Sequence, residues 1–502
     1  MFIRPRVGLV GRLAVSQRRA THDLPLLTRE FIARSLYGRQ GYFSTKDVIN
    51  TLPEPLDFRS MLGEWDYRRA VKAAYDSKPG AWLTPAEIFA PHYSNAIANY
   101  IATEVRRPTS HKRRRPGARV TPASPGATRH TTGGAEPPFA VIYEIGGGTG
   151  TNALHLLNWL AREDPELYDR TEYTIVEISP LLASRQRARA CTVHENCRVV
   201  NADMRDWGAS ADVESRRCFI VALEVLDNLP HDKVKLVPRA GMGPELLEAV
   251  VHNGREHFRR LQDPTIRDTL ALLPELTESL RPRAGAEDGA GEDGPQGRPQ
   301  GWGARARALA SAVLSPRTQQ PAHDSTFVPT GALQLLQALA RGFPKHLGVF
   351  ADFDRFPAPD LATPEARAEA TDGLLVAHLA PLVSSSGGDG DRGSYIVPLG
   401  SADIFFPTDF GALRKMHAGV CGASGHGRGQ RGRVGAGAGV GAGAGAGAGA
   451  SGGGGRVLKQ AEFLEEYADV EASRTLSGYS PLLQDFGNAS LLLTGLSSEG
   501  VP

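Results

Sequence analysis

The stretch Phe139-Ala-Val-Ile-Tyr-Glu-Ile-Gly-Gly-Gly-Thr-Gly-Thr-Asn152 constrains this chain more than any other. A β-prone apolar run from Phe139 to Ile142 reaches an acid at Glu144, then turns on Gly146, Gly148 and Gly150. Leu154, Leu157, Leu160 and Ala161 follow on one face of a helix. The order is strand, tight glycine turn, helix. Without Cβ atoms, such a turn lets the backbone touch a bound nucleoside and aim N–H groups at it. The bland alternative is that the glycines only make the turn tight.

A dinucleotide site uses G-x-G-x-x-G, with phosphates at the helix N-terminus. This chain instead has G-x-G-x-G, with an acid two residues before it. That is the pattern of S-adenosylmethionine (SAM) methyltransferases, whose ligand carries no phosphate. Glu144 suits a ligand bearing an ammonium and a sulfonium. Glu172-Tyr-Thr-Ile-Val-Glu-Ile-Ser-Pro180 reads as a second strand, and its terminal Glu177 is placed to bind two ribose hydroxyls. Cys197-Arg-Val-Val-Asn-Ala-Asp203 reads as a third strand, with Asp203 placed to accept from an adenine amine. Cys218 to Pro230 reads as a buried fourth strand running into an acidic loop.

These blocks resemble the MidA-like methyltransferases, a family that includes mitochondrial complex I assembly arginine methyltransferases. Glu144-Ile-Gly-Gly-Gly-Thr-Gly-Thr151 is similar to its E-I-G-x-G-x-G-T signature, and Glu224-Val-Leu-Asp-Asn-Leu-Pro230 to its N-E-F-F-D-A-L-P segment. Thr84-Pro-Ala-Glu87, Gly41-Tyr-Phe43, Asp403–Phe410 and Gln460–Leu464 resemble further blocks in the family's order. Leu223 stands where the family has Asn, and Pro407 where it has His, which marks a divergent branch. The resemblance implies SAM as co-substrate, a protein arginine as acceptor on a respiratory complex I subunit, and the mitochondrial matrix as location.

The chain has 502 residues and a formal charge of +2, from 57 basic and 55 acidic side chains. That balance argues against a dedicated nucleic-acid binder. None of the 4 cysteines forms a C-x-x-C pair, so no metal site and no disulfide scaffold is indicated, and Cys197 and Cys218 read as core. No apolar run approaches the ~18 residues of a membrane span. Residues 1–22 carry five arginines before the first acid, Asp23, which is the composition of a mitochondrial transit peptide; an ordinary basic tail is the alternative.

The predicted fold is α/β: a class I SAM-methyltransferase, Rossmann-like seven-stranded sheet with helical N-terminal and cap insertions. The expected division is 1–22 transit peptide, 23–105 N-terminal helical region, 106–138 disordered linker and 139–238 SAM-binding half. A helical cap at 239–282, a low-complexity insertion at 283–325 and the second half of the core at 326–417 follow. A Gly/Ala-rich loop at 418–456 and a closing helix and strand at 457–502 complete it. Within this scheme 244–281 reads as helical, His346–Asp354 as the fifth strand, and Ser394–Pro398 with Asp403–Phe410 as the sixth and seventh.

Methyl transfer from a sulfonium needs the acceptor lone pair held on line with the methyl carbon. A guanidinium is a poor nucleophile, and carboxylates can bind it bidentately, localise its charge and accept its proton. Glu224 and Asp227 lie where those acids are needed, with Glu87 and Asp354 candidates from elsewhere. Against these roles, Thr84 and Glu87 form a capping box, Asp227 could begin a turn and Glu224 could contact SAM. His231 reads as exposed. Adenine-N6 enzymes carry N/D-P-P-Y/F after the fourth strand, and its absence here argues against base methylation. A non-catalytic assembly scaffold, or an enzyme acting on RNA or a small molecule, remains the alternative.

Overall fold

A computed structural model describes residues 24–107, 139–207, 213–239, 242–280, 324–356, 379–385, 391–421 and 455–495. The expected transit peptide, almost all of the linker and the 283–325 insertion, and most of the Gly/Ala tract lie outside them. The described strands are β1 (Leu26–Leu27), β2 (Ala140–Ile145), β3 (Thr171–Glu177), β4 (Cys197–Asn201), β5 (Cys218–Leu223), β6 (Asp232–Arg239) and β7 (Met242–His252). They continue with β8 (Arg255–Arg260), β9 (Ser325–Val328), β10 (His346–Phe353), β11 (Leu382–Ser385), β12 (Ala402–Phe405), β13 (Arg456–Lys459) and β14 (Ala489–Leu493).

The main sheet has seven strands in the order β13-β14-β10-β5-β2-β3-β4. Five are parallel, and β14 runs antiparallel to both β10 and β13. Its central strands β2, β5 and β10 read as nearly continuous apolar runs because both faces are covered, whereas the edge strands β4 and β13 carry exposed residues. Ala140 and Ile142 of β2 face a core shared with Leu156, Leu160, Ile97 and Phe89. Val141, Tyr143 and Ile145 face the other core, with Leu333, Leu336, Leu413 and Met416. From β2 the chain moves outward to β3 and β4, then returns to β5 on the far side of β2. The crevice beyond β2 and β5 is therefore the switch point of the sheet, where open α/β folds place ligands.

A second, antiparallel sheet, built from the N-terminal β1 and from four strands between β5 and β10, replaces the expected helical cap. It has the order β1-β7-β6-β9, with β8 on β7. Leu246, Leu247, Val250 and Val251 satisfy helical spacing, but the decisive signal is Asn253-Gly254. Both residues have positive φ, +51° and +69°, as a two-residue hairpin turn demands. Among the described residues of that segment, only Pro264–Leu272 and Glu275–Glu278 are helical. The sixth and seventh strands are also reassigned: β12 pairs with β11 in a separate ribbon, and β14 and β13 complete the main sheet. The helix Phe410–Cys421 runs four residues into the expected Gly/Ala loop.

Arg29, in the helix Thr28–Tyr37, ties the N-terminal region to this second sheet. One guanidinium nitrogen meets Asp232 and the other Asp263, each at 2.6 Å. Asp263 also caps the helix Pro264–Leu272 by accepting from Ile266 N–H at 2.9 Å.

Candidate active site

The glycine turn is built as the spacing requires. Gly146, Gly148 and Gly150 all have positive φ, at +66°, +53° and +87°. A Cβ on Gly146 would sit 2.8 Å from Val225 Cγ2, and one on Gly150 3.2 Å from the backbone of Gln186. A Cβ on Gly148 would meet nothing within 4 Å. Two of the glycines thus serve packing, and the third faces open space.

Acids brace the turn from behind. Glu144 is buried and accepts from Asn152 Nδ2 at 2.8 Å and the Tyr173 hydroxyl at 3.0 Å. Glu177 accepts from Ser179 N–H at 2.8 Å and from Gln186 Nε2 at 2.7 Å. The same Gln186 nitrogen donates to the carbonyl of Gly148 at 2.9 Å. Burial pushes both carboxyls up to about 7. Asp203 lies beyond β4, paired bidentately with Arg205 and capping the short turn Met204–Asp206.

Across the switch point, four carboxyls converge. Glu224 N–H donates to Ala351 O at 2.9 Å, and the parallel register pairs Leu223 with Ala351. Asp352 therefore stands level with Glu224. Its carboxylate accepts from the N–H groups of Leu226 and Asp227, at 2.7 and 3.0 Å, and so pins the acidic loop. Asp403 accepts from Asn228 Nδ2 at 2.9 Å. Glu224 and Asp227 are held well above the usual carboxylate range, first by burial and then by Asp352. Asp352 and Asp403 are pushed to about 7 by burial. None of the four makes an ion pair among the described residues. Glu224 also has φ +54°, a backbone conformation costing roughly 1–2 kcal/mol outside glycine. Backbone strain of that kind is concentrated at active sites and ligand clamps.

Three buried side-chain atoms around the crevice lack a hydrogen-bond partner among the described residues: Asn152 Oδ1, Gln186 Oε1 and Asp227 Oδ1. Buried polar atoms are normally satisfied, so acceptors left open beside a glycine turn fit a donor-bearing ligand such as SAM.

Other expected residues are placed differently. Glu87 is buried and does not close the capping box. Thr84 accepts from Glu87 N–H at 3.2 Å, but the Glu87 carboxylate takes Leu52 N–H at 2.8 Å and the Thr151 hydroxyl. It clamps the N-terminal region to the helix after the glycine turn. Asp354 is held by Lys459 and by Ser490 Oγ, which clips β10 to the sheet edge. His231 is buried rather than exposed, stacked on Phe406 at 3.9 Å, because the chain turns inward there to start β6. Asp352, Asp403 and Gln186 are the residues that motif reading left out. The first two lie in acid-bearing blocks already visible in the sequence, and Gln186 carried no signal.

These pKa shifts have a sign that can be tested. A carboxyl protonated in the fold at a pH where the unfolded chain has lost its proton favours folding at low pH. That contribution is lost as pH rises from about 4.5 through about 7. Glu144→Gln, which cannot ionise, is expected to gain about 2 kcal/mol relative to the unmodified chain between pH 5 and pH 8. Denaturant titrations at the two pH values measure this; equal differences at both would contradict it.

Residues 129–428 match a family model for S-adenosyl-L-methionine-dependent methyltransferases. The mitochondrial protein arginine methyltransferase NDUFAF7 homolog of Schizosaccharomyces pombe is 28% identical over 115 residues, which are 21% of this chain and 24% of that protein. The match thus spans about a quarter of that relative's length. A solved Burkholderia thailandensis protein, described as a candidate methyl transferase and bound to S-adenosyl-homocysteine, aligns with a TM-score of 0.48 and 15% identity. The alignment covers 95% of this chain and 89% of that one. A native crystal structure of a superfamily protein from the same organism aligns at 0.46 and 15%, covering 95% and 88%.

Proposed function

The chain belongs to this family of S-adenosyl-L-methionine-dependent methyltransferases, and on that premise we propose that it methylates an arginine of a mitochondrial protein, a respiratory complex I subunit during assembly. SAM is the co-substrate. The observation that carries the arginine reading is the group of four carboxyls, Glu224, Asp227, Asp352 and Asp403, beyond β5 and β10. A guanidinium entering a partly dry crevice needs opposing charge, since an unpaired buried cation costs several kcal/mol. The order of the seven strands supports reading the sheet as the class I type.

In this reading Gly146–Gly150 and Glu177 hold SAM at the ends of β2 and β3, and Asp203 receives the adenine amine. Glu144 acts through the turn it braces, and Glu87 positions the same turn through Thr151. A guanidino nitrogen held by Glu224 attacks the methyl carbon, the carbon–sulfur bond breaks, and S-adenosyl-homocysteine leaves as a neutral thioether. The proton lost from nitrogen passes to a carboxylate of the group. A carboxyl whose affinity for protons is raised toward neutrality suits that transfer, because it is basic enough to accept and still ionises when a cation arrives.

The mitochondrial location rests on the arginine-rich residues 1–22 and on the named location of the fission-yeast relative. The test is label transfer by the purified full-length chain from methyl-labelled SAM into mitochondrial extract from cells lacking the protein. The expected product is labelled methylarginine in a complex I subunit. A full-length tagged chain found outside mitochondria would remove that part of the reading.

A further inference from the structure

At the opposite end of the sheet from the glycine turn, His346, His417 and Cys421 present ligand atoms within 4.8 Å of one another. We propose that these three residues form a zinc site, separate from methyl transfer, that staples the end of the helix Phe410–Cys421 to the start of β10.

Four observations support it. His417 and Cys421 are spaced i, i+4, so both side chains lie on one face of the helix, over His346 at the first position of β10. The imidazole Nε2 atoms of His346 and His417 are 3.1 Å apart, close to the roughly 3.3 Å that separates two nitrogens on a tetrahedral zinc. The outer nitrogen of His346, Nδ1, donates to the carbonyl of Phe343 at 2.7 Å. This fixes the tautomer and leaves Nε2 as a lone pair aimed inward, the arrangement that metal-bound histidines use. Finally, among the described residues the Cys421 thiol has only the Leu336 carbonyl, at 4.0 Å, as a hydrogen-bond acceptor.

A hydrogen bond between the two imidazoles would by itself account for the histidines, but not for a thiol one turn further along. Two imidazoles and a thiolate form a borderline-soft donor set that suits zinc, and water completes the tetrahedron as it does in open zinc sites with three protein ligands. Binding releases the thiol proton to solvent and leaves both imidazoles neutral. Cys421 is the last residue of its helix, and the next described residue is Gly455, directly before β13. A metal here fastens the C-terminal end of this helix to β10. No C-x-x-C or H-x-x-x-H pair announces it, because 71 residues separate the two histidines.

The test uses the full-length chain with any affinity tag removed, stripped by chelator and reloaded with Zn²⁺ or Co²⁺. The expected result is about one equivalent of either metal per chain. The cobalt form should show tetrahedral visible bands and a thiolate charge-transfer band, and zinc should raise the melting temperature by several degrees. Cys421→Ser should lose the charge-transfer band, and His417→Gln the binding, while SAM affinity stays unchanged in both. The proposal is overturned if the unmodified chain retains no metal, or if its cobalt spectrum lacks the thiolate band. It also falls if His417→Gln binds as much metal as the unmodified chain. The unmodified-chain measurement decides even where a variant fails to fold, and SAM affinity is read independently of metal content.

Discussion

Glu224→Gln is expected to slow methyl transfer at saturating SAM by about 10²-fold or more, the usual scale for losing a positioned acid/base group. The variant keeps the side chain's shape and much of its hydrogen bonding but removes its charge. The same loop backbone remains pinned by Asp352 through Leu226 and Asp227, so the crevice should keep its form. If Glu224 instead contacts the ammonium of SAM, the change weakens SAM binding and leaves turnover at saturation nearly intact. Measuring SAM affinity and saturated turnover together separates the two roles. Normal values of both would exclude Glu224 from the chemistry.

The second large effect is expected at the turn. Gly148→Asn should weaken SAM binding by about 10²-fold or more with little change in melting temperature. Asparagine tolerates the positive φ of +53°, and its Cβ would enter space that contains no protein atom within 4 Å. Only a ligand lying against the turn would feel it. The contrast with Gly146 is useful: a Cβ there collides with Val225 and should damage the fold itself. Isothermal calorimetry with SAM reads the Gly148 effect, and unchanged affinity would mean that the ligand does not lie on this loop.

The parallel half of the sheet was legible because β2, β3 and β5 are buried almost throughout, and because each of β2 to β5 runs into a residue that breaks the apolar pattern. Glu177 and Asp203 were found at the ends of such runs, and Gly146, Gly148 and Gly150 in the turn. The segment between β5 and β10 was misread because Leu246, Leu247, Val250 and Val251 fit a helical face as well as a strand, and periodicity alone does not separate the two in a short run. Asn253-Gly254 would have decided it. The sheet edge was misassigned for a topological reason: β13 and β14 lie 103 or more residues beyond β10 in sequence, and pairing at that distance leaves no local trace. Asp352 escaped notice because Asp354 stands two residues later in the same block. The register with β5 selects Asp352 for the crevice, whereas Asp354 is taken up by Lys459 and Ser490.

Glu87 shows a different limit. Thr84-Pro-Ala-Glu87 is a helix-start signature, and the sequence offers a cap or a catalytic role for the acid. The observed bonds to Leu52 and Thr151 join segments 35 and 64 residues away. No reading of the motif by itself could supply those partners.

The account's central claim is that this crevice brings SAM and a protein arginine together. The most direct measurement incubates the purified full-length chain with methyl-labelled SAM and mitochondrial extract from cells lacking the protein, then hydrolyses the products and identifies the labelled amino acid. The predicted result is label on a guanidino nitrogen of arginine, present with the unmodified chain and reduced about 10²-fold with Glu224→Gln. Label on RNA, on a small molecule or on another side chain would contradict the arginine reading. No transfer and no calorimetric binding of SAM would contradict the account as a whole.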